Sequence, residues 1–249
     1  MFDDGQDIEE KGDNWTELAE DGEFADVIGR QDEVENMITV LSREKKPNPL
    51  LVGPAGVGKT AVVERFANLM ATGDVPDFLD GKDLLSIDAA DLPRFLEELS
   101  DEPEAPVLFV DEFHRIVESG FGSCSIDAIK PYLARGDVRV IGATTDVEYE
   151  ENIKELEALE RRFEVIRVHS MNEEDTLKVL EAFADYQKNE HDLVIRDAAL
   201  RESLSLSKRF LRHRNFPDKA LDVLDNAIAS ARTDNVRTIM KSRVKEVMA

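Results

Sequence analysis

Two short apolar runs, Pro-Leu-Leu-Val at residues 49–52 and Val-Leu-Phe-Val at 107–110, break the otherwise charged text of this chain. Runs of four with no polar alternation suit strands covered on both faces, as in a parallel sheet. A different rhythm precedes the first: Val34, Met37, Ile38 and Leu41 recur at helical spacing and predict an amphipathic helix over 31–44. The same reading predicts strands at 84–88, 138–143 and 163–169, and helices at 59–70, 92–99 and about 126–133. Strands alternating with helices imply an α/β class, here a five-stranded parallel sheet flanked by helices. From Asn172 onward only helical periodicity remains, over 173–189, 197–212, 218–232 and 234–248. The expected organisation is a disordered acidic segment over 1–13, an α/β domain over 14–170 and a small all-α domain over 171–249.

Composition adds constraints. With 249 residues and 42% apolar content, the chain can bury a substantial core. No run of eighteen apolar residues occurs, and Met1-Phe2-Asp3-Asp4 lacks the basic start of an export signal, so no membrane association is expected. Cys124 is the single cysteine, which rules out an internal disulfide framework and makes a reducing cytoplasm the natural compartment. Fifty-four acids against 31 bases, a formal charge of −23, argue against nucleic acid as a general partner. The basic stretches 208–214 and 241–245 read as solvated helix faces or as local patches. The acidity suits either a high-salt cytosol or simple solubility.

The chemistry is concentrated after the two apolar runs. Gly53-Pro54-Ala55-Gly56-Val57-Gly58-Lys59-Thr60, followed by Ala61, is a G-x-x-x-x-G-K-T phosphate loop between a strand and a helix. Its glycines let backbone N–H groups turn towards phosphates, and the helix that follows adds its positive end. Lys59 suits the β and γ oxygens of ATP, and the Thr60 hydroxyl suits Mg²⁺. At the end of the second run, Asp111 suits the Mg²⁺ shell and Glu112 suits a base that activates water.

Six collinear blocks then become familiar: 16–43, 48–67, 108–117, 130–150, 158–166 and 215–229. The chain resembles an AAA+ ATPase, and more closely the first nucleotide-binding module of the ClpA/ClpB chaperones. That resemblance implies ATP and Mg²⁺, a helical lid and a homo-oligomeric ring or filament. It implies that Val27 and Ile28 pack beside the adenine, that Thr145 senses the γ-phosphate, and that Arg161 and Arg162 enter a neighbouring subunit's site as arginine fingers. Read without it, the two arginines are a basic helix end. Pro217 and Lys219 fall at the lid corner; Lys219 reads either as a nucleotide contact or as part of a helical first turn capped by Asp218.

The departures matter too. The family's aromatic pore loop is missing where Ser86-Ile87-Asp88-Ala89-Ala90-Asp91-Leu92 runs directly into a helix, and the expectation for these 249 residues is a module without the family's N-domain, middle domain or second ATPase module. The 118–125 loop is short for the family's second pore loop, with Phe121 expected either to face a pore or partner or to be tucked onto the surface. Two functions fit: an oligomeric ATPase that remodels an unknown protein partner without threading it, or an ATP-controlled switch or scaffold with slow hydrolysis that recruits one.

Overall fold

A computed structural model describes residues 12–102, 104–118, 126–136 and 138–248. It divides into two compact units, one of residues up to Gly53 plus Lys59–Val168, the other of Pro54–Gly58 plus His169–Ala249.

The first unit is built on a sheet of strands β1 (Asp13–Asn14), β2 (Asn48–Val52), β3 (Leu84–Ile87), β4 (Val107–Val110), β5 (Arg139–Thr144) and β6 (Phe163–Arg167). Their order across the sheet is β1-β3-β4-β5-β2-β6. All pairings are parallel except β1 with β3. The sheet therefore has six strands rather than the expected five. The additional strand is a two-residue antiparallel edge, too short to leave a period in sequence, and it places Asp13 in a strand within the stretch read as disordered; residues 1–11 of that stretch lie outside the described residues. Every residue of β2 and β4 is buried, as expected for strands covered on both faces. Alternation sorts the side chains: Leu50, Val52, Leu108, Val110 and Val140 enter one core with Phe95, Leu96, Phe113 and Ile129.

Helices α1 (Trp15–Glu20), α2 (Gln31–Leu41), α3 (Lys59–Ala71), α4 (Leu92–Leu99), α5 (Arg115–Glu118) and α6 (Ile126–Arg135) accompany the sheet. Between β3 and α4 lies a tight turn in which Ala90 N donates to Asp88 Oδ1 at 2.9 Å and Asp91 N to Asp88 O at 3.0 Å. The connection is four residues, 88–91.

The second unit contains α7 (Glu173–His191), α8 (Asp197–Phe210), α9 (Asp218–Thr233) and α10 (Lys241–Glu246) around a core that includes Leu180, Leu200, Leu224 and Ile228. It is helical but not purely so: β7 (Val194–Ile195) pairs in parallel with β8 (Thr238–Ile239). β8 and α10 replace the single helix expected over 234–248. Asn235, at a positive φ of 56°, stands in the turn just after α9, and two-residue strands carry no readable alternation.

Candidate functional site

In the sheet unit the C-terminal ends of β2, β4 and β5 lie side by side. Gly53 N donates to Thr144 O at 3.4 Å, and Phe113 N to Ala143 O at 2.8 Å. Gly53 is required sterically, because a Cβ there would lie 2.1 Å from Val168 O just beyond β6. Lys59, the first residue of α3, donates from Nζ to Gly53 O at 2.9 Å. Burial lowers its pKa from the usual lysine value, while Asp111, Glu148 and Asp146 pull the other way. The negative charges that act on Lys59 thus come from the residues just beyond β4 and β5.

Thr60 Oγ1 lies 3.5 Å from Asp111 Oδ2. A hydroxyl and a carboxylate at this separation are hard oxygen donors of the kind Mg²⁺ takes, so the residues fit that ion. Asp111 Oδ1 also accepts from Glu112 N at 2.8 Å. Glu112 adopts φ 49°, left-handed for a residue that is not glycine, and its side chain is 65% exposed. Such an outlier stores roughly 1–3 kcal/mol and is found preferentially at working sites. Its Oε2 lies 3.6 Å from Arg115 Nη1, which also reaches Asp88 Oδ2 at 3.3 Å.

Thr145 is the N-cap of a short turn over 146–148, and its hydroxyl accepts from Glu148 N at 3.3 Å. The Glu148 carboxylate reciprocates from Thr145 N at 2.9 Å, completing a capping box. That carboxylate also accepts from Thr144 Oγ1 at 3.1 Å and stands 3.2 Å from Nδ1 of buried His114. Burial alone would raise the Glu148 pKa, but the hydrogen bonds from Thr145, the His114 ring and the Thr144 hydroxyl hold it below the ordinary value. Sequence reading missed Glu148 and His114. The T-x-x-E spacing of 145–148 was the available signal for the first; nothing in sequence marked the second.

Val27 and Ile28 are half-buried, and Arg65 on α3 donates to Val27 O at 2.7 Å, tying that segment to the helix behind the loop. Arg161 is exposed and pairs with Glu157 one turn earlier. Arg162 offers its carbonyl to the buried amide of Asn48 at 3.2 Å. The β2–β6 register sets Phe163 beside Asn48 and Arg167 beside Val52. Arg162, one residue before Phe163, is thus at the opposite end of the sheet from Gly53, six residue steps or about 20 Å along the strand direction at 3.3 Å per residue.

In the helical unit, the phosphate-loop residues Pro54, Ala55, Gly56, Val57 and Gly58 meet the corner that precedes α9. Asn215 Nδ2 donates to Ala55 O at 3.1 Å, and Asp218 N to Gly56 O at 3.4 Å. Gly56 has φ 74°, and a Cβ on it would lie 2.7 Å from Asp218 Cβ. Lys219 is 7% exposed, with Nζ 4.2 Å over the Phe216 ring and 3.5 Å from Leu211 O. Burial lowers its pKa, with Lys208 adding to the effect and Glu173 opposing it. Pro217 is the N-cap of α9 and makes no side-chain cap; Asp218 pairs with Arg214 instead of capping the helix. Phe121 and Cys124 lie outside the described residues.

A phosphate loop and a carboxylate pair at the C-terminal ends of a parallel sheet, with a helical unit following in sequence, define a P-loop ATPase module of the AAA type. Residues 49–171 match the ATPase family associated with various cellular activities (AAA), residues 172–248 match the AAA lid domain, and the chain belongs to the AAA ATPases. It is similar to the chaperone protein ClpB of Propionibacterium freudenreichii, 41% identical over 236 residues that make up 88% of this chain and 27% of the relative. It is also similar to the chloroplastic ClpC2 of Arabidopsis thaliana, 36% identical over 256 residues, 96% of this chain and 27% of the relative. Among solved structures, the S. cerevisiae Hsp104–ADP complex superimposes with a TM-score of 0.87 at 34% identity, covering 97% of this chain and 44% of that one. The chain thus spans about a quarter of the length of these curated relatives. Among the described residues no helix is long and apolar enough to cross a membrane.

Proposed function

We propose that this chain binds ATP with Mg²⁺ and hydrolyses it within an assembly of its own copies, in the cytoplasm, to remodel a protein partner without threading it. The observation that carries the reading is the convergence of Lys59, Thr60, Asp111, Glu112 and Thr145 on one end of the sheet. Val27 and Ile28 flank the adenine, residues 53–61 hold the phosphates, and Pro217 and Lys219 belong to the corner that braces the loop. Thr60 and Asp111 hold the Mg²⁺, which offsets phosphate charge when bound. Lys59 supplies a fixed cation to the terminal phosphate. Glu112, exposed and held out by its left-handed backbone, takes the proton of the attacking water, and Thr145 places that water against the γ-phosphate. Arg161 and Arg162 are at the wrong end of the sheet to serve their own site. A neighbouring copy receives them, where a guanidinium offsets charge building on the transferred phosphoryl group.

The four-residue turn at 88–91, Asp-Ala-Ala-Asp, contains no aromatic side chain to grip an extended polypeptide. This supports remodelling by subunit motion. One observation favours a second reading, an ATP-controlled switch with slow turnover that recruits a partner: Arg115 draws the Glu112 carboxylate to within 3.6 Å.

The test pairs two variants. Lys59→Ala abolishes binding of a fluorescent ATP analogue, whereas Glu112→Gln binds it normally and loses phosphate release by at least about 100-fold. Full turnover in Glu112→Gln sinks the assignment. Pull-down with Glu112→Gln in ATP identifies the partner, and turnover stimulated by that partner selects remodelling over the switch. ATP-dependent unfolding of a tagged fluorescent protein by the parent chain would exclude the non-threading reading.

A further inference from the structure

The geometry points to Glu148 as a positioning residue for hydrolysis, one that fixes Thr145 and, with His114, locks the end of β5 to the segment that carries Glu112. Three contacts converge on a single oxygen, Oε2: Thr145 N at 2.9 Å, Thr144 Oγ1 at 3.1 Å and His114 Nδ1 at 3.2 Å. Thr144 ends β5 and Thr145 follows it as the N-cap of the next turn. His114 lies two residues beyond Glu112, and its Nδ1 is also 3.3 Å from Thr144 Oγ1. His114 and Thr144 are 7% and 2% exposed, so they meet away from competing water. In return Glu148 N donates to the Thr145 hydroxyl and so fixes its rotamer. The backbone bond from Phe113 N to Ala143 O runs alongside. Base and sensor are therefore carried by one hydrogen-bonded block rather than by two independent loops.

Glu148 also lies close enough to Lys59 to act on its charge. Glu148 nonetheless has its oxygen engaged by Thr144, Thr145 and His114, so its role runs through Thr145 and not through direct chemistry. Misplacing a water-orienting hydroxyl by about 1 Å costs on the order of 100-fold in rate.

This inference rests on the sensor role proposed for Thr145, and the test separates the two. ATP turnover and KM are measured at one protein concentration for Thr145→Ala, Glu148→Ala, the double variant and Glu148→Gln, with thermal melting as a control. Glu148→Ala is expected to lower kcat by about 10- to 100-fold with KM within about two-fold. The double variant should fall well short of the product of the two single losses, because both changes remove the placement of the Thr145 hydroxyl. Glu148→Gln, which keeps an acceptor oxygen for all three contacts, should return kcat to within about three-fold of the parent. Multiplying losses in the double variant, a change in KM alone, or a Glu148→Gln as slow as Glu148→Ala each overturn the positioning role. Undiminished turnover in Thr145→Ala overturns the sensor assignment and this inference together.

Discussion

The side chain of Asn48 joins Arg162 to β5: its amide donates to Arg162 O at 3.2 Å while its Oδ1 accepts from Val140 N at 2.9 Å. Asn48 is fully buried, so the segment carrying both arginines is fastened to the sheet and not left as a free loop. If Arg161 and Arg162 act on a neighbouring copy, turnover per subunit rises with protein concentration. Arg161→Ala and Arg162→Ala lower that rate by an order of magnitude or more, as expected of finger residues, while nucleotide affinity stays within a few-fold. Sedimentation and phosphate release on the same dilution series provide the check. Undiminished specific activity in a dilute monomer contradicts the reading.

Asn48→Leu leaves the Val140 N–H and the Arg162 carbonyl without their side-chain partner. Stranding backbone groups costs about 1–3 kcal/mol each, so a loss of about 2–6 kcal/mol is expected in urea unfolding. An unchanged midpoint would mean that another group takes over both contacts.

Gly56→Ala tests the loop's backbone. At φ 74° a Cβ is disfavoured by roughly 1–2 kcal/mol, and overlap with Asp218 at 2.7 Å adds to it. ATP affinity should fall by at least about ten-fold with helix content unchanged by circular dichroism. Parent-like affinity would show that the loop conformation is not required.

Lys59 gives a pH prediction. Burial depresses its pKa, so in the free protein it sheds its proton earlier on the alkaline side than an ordinary lysine; a bound triphosphate favours the charged form and restores it. ATP binding should therefore weaken as pH rises through the alkaline range and should take up protons there. Calorimetry at pH 9 in two buffers of different ionisation enthalpy detects that uptake. Equal binding enthalpies in the two buffers argue against it.

Most of the sheet was legible in sequence because β2 and β4 are buried on both faces and read as unbroken apolar runs. Helices with a clear apolar stripe, such as α2 and α4, were equally plain. β1, β7 and β8 were not, since two residues hold no period. Within the site, Lys59, Thr60, Asp111 and Glu112 followed from motif and local order. His114 meets Thr144 and Glu148 only once β4 and β5 lie side by side, and a histidine's neighbours cannot be read along the chain. Glu148 had a local signal, the T-x-x-E spacing with Thr145, that went unread. The embrace of Ala55 and Gly56 by Asn215 and Asp218 spans about 160 positions and was likewise invisible.

The left-handed backbone of Glu112 implies a conflict between durability and work. Glycine accepts φ 49° without strain, so Glu112→Gly is expected to melt higher than the parent while losing hydrolysis. A selection that rewarded only thermal persistence would then discard the carboxylate; under the role proposed for Glu112, this is a position where turnover is kept at the expense of rigidity.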